Sequence, residues 1–321
     1  MKGIWNGVFR LGLYLIAVFL VSACGRQTDV NLTPQEGKTR IVVTTTFIGD
    51  VVKNIAEDRV DVYALLTAGQ NPHSYQPAPK DLVAVSEADL ILVNGFGLED
   101  FLEDLLSGSD TKAKVIVVSE GIAPLMMGGH IIGEDDHGSE DPLEAVLGQD
   151  PHVWFDPNNI LVWAENITIA LAEEDPENEA FYQGNLDKFQ KQLMELDVWI
   201  REQIEIIPED QRELVTDHFT LGYFGNEYGL AQIGTVIPAL TTEAQTSGME
   251  LAELINTIRE YQTKAIFIGA DFDPNLAQRV ADETGVELVT LYFGSLTDGE
   301  PAGTYLSFMQ YNVSAIVEAL R

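Results

Sequence analysis

Residues 40–73 read RIVVTTTFIGDVVKNIAEDRVDVYALLTAGQNPH, and this stretch decides the fold. A β-branched run, Ile41–Thr46, gives way to a helical pattern, Ile48–Asp58, and then to a second β-branched run, Val60–Leu66. Strand, helix and strand at that spacing form a parallel βαβ unit, whose strands are buried on both faces and so read as continuous apolar runs. The rhythm continues outward with strands at Ala88–Asn94 and Lys114–Ser119, and with helical stretches at Pro79–Glu87 and Leu98–Leu106. The second half repeats it. Strands are expected near Glu213–Thr216, Ile233–Ala239, Lys264–Ile268 and Val286–Tyr292, and helices near Phe219–Tyr228, Gly248–Tyr261, Pro274–Thr284 and Tyr305–Leu320. The pattern predicts an α/β protein of two lobes, each a roughly four-stranded parallel sheet flanked by helices.

Between the halves, Tyr182, Leu186, Phe189, Leu193, Leu196, Ile200, Ile204 and Ile207 recur at steps of three and four. That spacing is one apolar stripe on a helix of roughly 25 to 30 residues, about 40 Å long. Pro176 stands near its start and Pro208 stops it. A helix of this length joining two lobes resists hinge bending; a core helix of one larger domain is the alternative. Met126 to Gln149 departs from the rhythm. It is rich in Gly and acid, carries His130 and His137, shows no periodicity, and is read as a mobile surface loop.

With 321 residues and 45% hydrophobic composition the chain can bury a large core, and its length favours two domains. Lys and Arg number 18 against 51 Asp and Glu, a formal charge of −33. A surface of that sign repels phosphate backbones, so nucleic acid is excluded as a partner. It also concentrates cations, although solubility of an exported protein accounts for the same charge.

Lys2 and Arg10 precede an apolar run, Leu11 to Val21, that is short for a membrane span. It ends in Val21-Ser22-Ala23-Cys24-Gly25, which resembles the lipobox of bacterial lipoproteins, where cleavage leaves Cys24 as a lipid-bearing N-terminus. Cys24 is the chain's one cysteine, so no disulfide forms within a mature chain. The polar residues that follow suit a flexible tether.

Three of the five histidines fall in matching places. His73 follows the second strand in Asn71-Pro72-His73, His152 lies in Asp150-Pro151-His152, and His218 directly follows the strand Glu213–Thr216. Each sits at or near a carboxyl-end loop of a parallel sheet, where open α/β folds build their ligand sites. Their meeting point would be the cleft between lobes. Neutral imidazole is the commonest protein ligand for zinc, and three leave one tetrahedral position for a carboxylate or water.

The runs AGQNPHSYQPAPKDL, EADLILVNGFGLEDFLEDLL, QDPHVWFDPNN, TDHFTLGYFGNEYGL, TTEAQTS and GTYLSFMQYNVSAIVEAL resemble the zinc- and manganese-binding solute-binding lipoproteins of ABC importers, the cluster A-I periplasmic metal-binding proteins. The resemblance spans Arg40 to Arg321. It implies two pseudo-symmetric lobes joined by one rigid helix, with a metal held in the cleft by His73, His152 and His218. In members regarded as manganese-selective the position of His218 is commonly a glutamate, so the imidazole here leans toward zinc. The sequence also departs from the pattern. Where many members carry a ligating Asp, in Leu-Tyr-x-Asp-Ser-Leu, this chain has Gly294, and an acid usual after the Ala-Ile-Phe-Ile strand is Gly269. A displaced carboxylate, Asp298 or Asp271, or else a water, is expected in the fourth position.

The resemblance divides the chain into a lipoprotein signal peptide (1–23), a tether (24–38), an N-terminal metal-binding lobe (39–176) containing the His/acid loop 126–149, a linking helix (177–207) and a C-terminal metal-binding lobe (208–321). His130 and His137 in that loop are candidates for collecting zinc and passing it inward, and Glu243 is a candidate for orienting a ligand histidine. Asp156-Pro157 reads as a helix cap. The expected function is extracytoplasmic capture of a divalent metal, Zn²⁺ first and Mn²⁺ or Fe²⁺ as alternatives, by a monomer tethered to the membrane through lipid on Cys24, for delivery to the permease of an ABC importer. A metalloenzyme is disfavoured because no His-Glu-x-x-His run or paired acid supplies a general base. A surface adhesin is the other rival, and would bind its partner without the three histidines.

Overall fold

A computed structural model describes residues 37–126, 148–239, 242 and 244–321. Signal peptide, Cys24, His130, His137 and Glu243 lie outside the described residues.

The N-terminal half contains β1 (Thr39–Val43), α1 (Thr46–Ala56), β2 (Val60–Ala64), α2 (Pro79–Ser86), β3 (Leu90–Val93), α3 (Leu102–Ser109) and β4 (Lys114–Val117). Two helices follow, α4 (Pro157–Glu174) and α5 (Glu179–Ile204). The C-terminal half contains β5 (Glu213–Thr216), α6 (Gly222–Tyr228), β6 (Ala231–Thr235), α7 (Gly248–Tyr261), β7 (Ala265–Gly269), α8 (Asn275–Thr284), β8 (Glu287–Leu291) and α9 (Tyr305–Leu320). The sheets run β2-β1-β3-β4 and β6-β5-β7-β8, with every pairing parallel. The first strand of each half lies inside its sheet, so strand order reverses between β1 and β3 and again between β5 and β7. Those are the points where parallel sheets open a crevice at their carboxyl ends.

Side-chain alternation explains the layering. Ile41 and Val43 face the same large apolar cluster as α5, whereas Val42 between them joins a smaller cluster with Leu65, Ile91 and Leu105. The same split separates Leu214 from Val215, the latter packing with Leu254, Ile258 and Val280 under α7 and α8. The larger cluster runs without a break from Ile41 and Leu90 of one sheet to Leu214 and Phe267 of the other. Helix α5, at 26 residues, buries Tyr182, Leu186, Phe189, Leu193, Leu196, Ile200 and Ile204 along that seam and packs on α1, α4 and α9.

Two elements differ from expectation. Helix α3 begins at Leu102 rather than Leu98, because Gly95, Phe96 and Gly97 all take left-handed backbone (φ 90°, 53° and 77°). The Glu99 carboxylate fills the turn they make, accepting the amides of Asn94 (2.6 Å) and Gly95 (3.0 Å). Strand β6 lies earlier than Ile233–Ala239, over Ala231–Thr235.

Hydrogen bonds tie the segment after β8 to the N-terminal half. Trp154 Nε1 donates to the Phe293 carbonyl (3.1 Å), the Gly69 amide to Ser295 Oγ (2.9 Å), the Leu296 amide to Thr46 Oγ1 (2.8 Å), and the Tyr305 amide to buried Asp50 (2.9 Å). Among the described residues no helix is long and apolar enough to cross a membrane.

Candidate metal centre

His218 stands two residues past β5, His73 lies in the loop after β2, and His152 is held beside the end of β3 by the Asn94 side-chain amide, which donates to the Pro151 carbonyl (3.1 Å). His73 sits in a short 3-10 turn, Pro72–Ser74, which Asn71 caps by accepting the His73 amide (2.9 Å). The amide group of the same Asn71 donates across the cleft to Thr242 Oγ1 (3.0 Å). The loop beyond His73 is pinned by buried Asp81, which accepts the hydroxyls of Tyr63 (2.7 Å) and Tyr75 (2.8 Å) and the amide of Ala78 (2.6 Å).

His152 and His218 share one device. A single oxygen of Asp150 takes both the amide (2.9 Å) and the Nδ1 (2.8 Å) of His152. Asp217 does the same for His218, at 2.6 Å each, and gives its second oxygen to the Gly269 amide (2.6 Å). A carboxylate at Nδ1 places the ring proton there and leaves Nε2 as a bare lone pair. The Nε2 of His152 lies 3.0 Å from that of His73 and 3.3 Å from that of His218. The rings stand edge to face, with centroids 5.1 to 5.2 Å apart. Nitrogens so oriented repel unless a proton or a cation stands between them.

Burial and the neighbouring imidazoles hold His73 well below the ordinary 6.5, and burial does the same for His152. Both are therefore neutral at physiological pH. Burial pushes the Asp150 carboxyl up to about 7, against the amide bond from His152 that favours its charge. The three ring nitrogens form a group whose donor atoms all lie within 4.8 Å of one another, close enough to share one ion.

The sequence brings His73, His152 and His218 to this pocket, and Asp271 lines it as well. Asp298 does not. The chain turns at residues 297–299, where the Thr297 hydroxyl donates to the Gly299 carbonyl (2.5 Å), and Asp298 is left exposed and outside the pocket lining. Sequence reasoning also missed the orienting roles of Asp150 and Asp217. The signal was adjacency, since each acid stands within two residues of the histidine it serves.

Residues 41–319 match the family model described as "Zinc-uptake complex component A periplasmic". The chain is 30% identical over 310 residues to the manganese-binding lipoprotein MntA of Halalkalibacterium halodurans, covering 96% of this chain and 97% of that one. Among solved structures it is similar to the periplasmic zinc-binding protein TroA from Treponema pallidum, at a TM-score of 0.77 and 28% identity over 88% of this chain and 99% of that one. The Mn-bound periplasmic metal-binding protein from Candidatus Liberibacter asiaticus gives a TM-score of 0.75 at 29% identity, over 88% and 100% of the two chains.

Proposed function

The chain belongs to the zinc-uptake complex component A family and is the metal-binding, substrate-binding component of an ABC transporter, and from that premise we propose that zinc is its cargo. His73, His152 and His218 hold the ion, lipid on Cys24 keeps the monomer at the outer face of the membrane, and the permease receives the metal. His130 and His137 collect zinc for the site, and Glu243 steadies a ligand histidine. The two lobes of the protein are residues 39–176 and 208–321, with 177–207 joining them.

The observation that carries this reading is the convergence of three imidazole Nε2 atoms, two of them backed by carboxylates, at the carboxyl ends of two parallel sheets. Three borderline nitrogens suit zinc, whereas manganese and ferrous iron favour more oxygen. The printed names of the relatives include both zinc and manganese, so cargo is decided by competition.

Titration of dialysed protein is expected to show one zinc site per chain with submicromolar affinity (about −8 kcal/mol or tighter), lost when any of the three histidines becomes Ala. Zinc is also expected to raise the melting temperature, because it binds the native pocket and not the unfolded chain. Binding should weaken below a pH of about 6, where protons compete for imidazole. Neither heat nor a thermal shift with zinc would refute the reading; tighter binding of manganese in direct competition would reassign the cargo.

A further inference from the structure

Three imidazole ligands bring no negative charge to a buried dication, and among the described residues lining the pocket one carboxylate is free to do so. Asp217 is spent on His218 and on the Gly269 amide. Asp271 is not: among the described residues no neighbouring group donates a hydrogen bond to its carboxylate, yet it lines the same pocket as the three histidines. It follows β7, the strand beside the one that delivers His218, and so stands at the point where strand order reverses.

Two glycines make room for it. A Cβ at Gly269 would fall 2.7 Å from Asp271 Oδ1, and a Cβ at Gly294 would fall 3.4 Å from Asp271 Oδ2. The cradle is thus formed where two neighbouring side chains are missing. Thr220 supplies a second, independent sign. Its hydroxyl is fully buried in the pocket wall and, among the described residues, has no hydrogen-bond partner, so it lacks an acceptor that an inward-turned carboxylate would provide.

We propose that Asp271 swings from this cradle to become the fourth ligand of the cargo ion, and that its oxygen gives the site its tolerance for hard dications such as manganese. This rests on the three-histidine reading. Asp271 does not belong to the group of donor atoms lying within 4.8 Å of one another, so a side-chain rotation completes the sphere. An N₃O set with one anionic oxygen stabilises a hard ion that three nitrogens and a water hold poorly, while zinc accepts either set.

The test uses the mature-length protein and its Asp271→Asn and Asp271→Ala variants, titrated with zinc and with manganese against a chelator, and loaded with Co²⁺ for visible absorption. Zinc affinity is expected to fall about 10-fold and manganese affinity at least about 100-fold. The Co²⁺ bands should shift in position and intensity as water replaces carboxylate, with the metal-free melting temperature unchanged. Unaltered affinities and superimposable Co²⁺ spectra would overturn the assignment, and equal losses of both metals would overturn the selectivity. If the unsubstituted protein bound neither metal, the histidine reading itself would fall.

Discussion

His218 Nδ1 lies 2.6 Å from Asp217 Oδ1, and the other oxygen of that carboxylate takes the Gly269 amide from the neighbouring strand. The ring is thereby locked to the sheet rather than to its own loop. In Asp217→Asn one of the two accepting oxygens would become an NH₂ group facing the donors it now serves. Metal affinity is expected to drop about 10- to 100-fold, as for loss of an orienting partner behind a ligand histidine. Chelator competition measures this, and wild-type affinity in the variant would show that the carboxylate is idle.

Asp156 caps α4 by accepting the Asn158 amide at 2.8 Å, and its carboxyl is pushed up to about 6 by burial, with Glu227 and Asp197 adding to the rise. A carboxyl whose folded value lies above its ordinary 3.8 costs nothing below that pH, destabilises increasingly as pH rises from there to about 6, and carries its full cost above. Asn caps as well as Asp but carries no charge. Asp156→Asn should therefore raise the metal-free melting temperature at pH 7.5 by about 3 °C. The gain should vanish near pH 4; an equal gain at both values would mean that charge is not its source.

Gly294 stands against the turn that carries His73, and a Cβ there would lie 2.7 Å from Pro72 Cδ. Gly294→Ala must push the Pro72–Ser74 turn away from the C-terminal half. Overpacking of this kind costs about 1–3 kcal/mol. Metal binding is expected to weaken alongside stability, as read by calorimetry and urea unfolding. Undiminished affinity would show that the turn yields without moving His73.

The Tyr305 hydroxyl donates to the Trp154 carbonyl at 2.9 Å, both residues being fully buried. Tyr305→Phe leaves that carbonyl unpaired, at a cost of about 1–3 kcal/mol. The urea midpoint should fall while zinc affinity stays near wild type. A midpoint unchanged within error would mean that another donor takes over the carbonyl.

The two sheets and the linking helix were readable because their apolar residues keep a clean period, two or three-to-four, that local chemistry alone imposes. Helix α4 was harder. Ile160, Trp163, Ala164, Ile167, Ala170 and Leu171 are buried while Ile169 is 59% exposed, so its apolar residues do not confine themselves to one stripe and only the Asp156-Pro157 cap announced it. The three histidines could be placed because parallel sheets put their ligand loops at one end. That Asp271 and not Asp298 lines the pocket could not be read that way, since it depends on a turn at residues 297–299 and on the side chain missing at Gly269. Those are tertiary facts, as is the register that lets Asp217 reach the Gly269 amide.

The unbroken apolar cluster along α5 has a consequence for how loading is sensed. An apolar cluster that runs through both halves offers no seam for a clamshell, so they should melt in one cooperative step. The difference between full and empty must then be written in the rim: the turn at His73, the Asn71 to Thr242 contact, and the Phe293 to Leu296 segment. A membrane partner that accepts only charged carriers has to feel for those few backbone positions, much as a key reader feels pins rather than the shape of the handle.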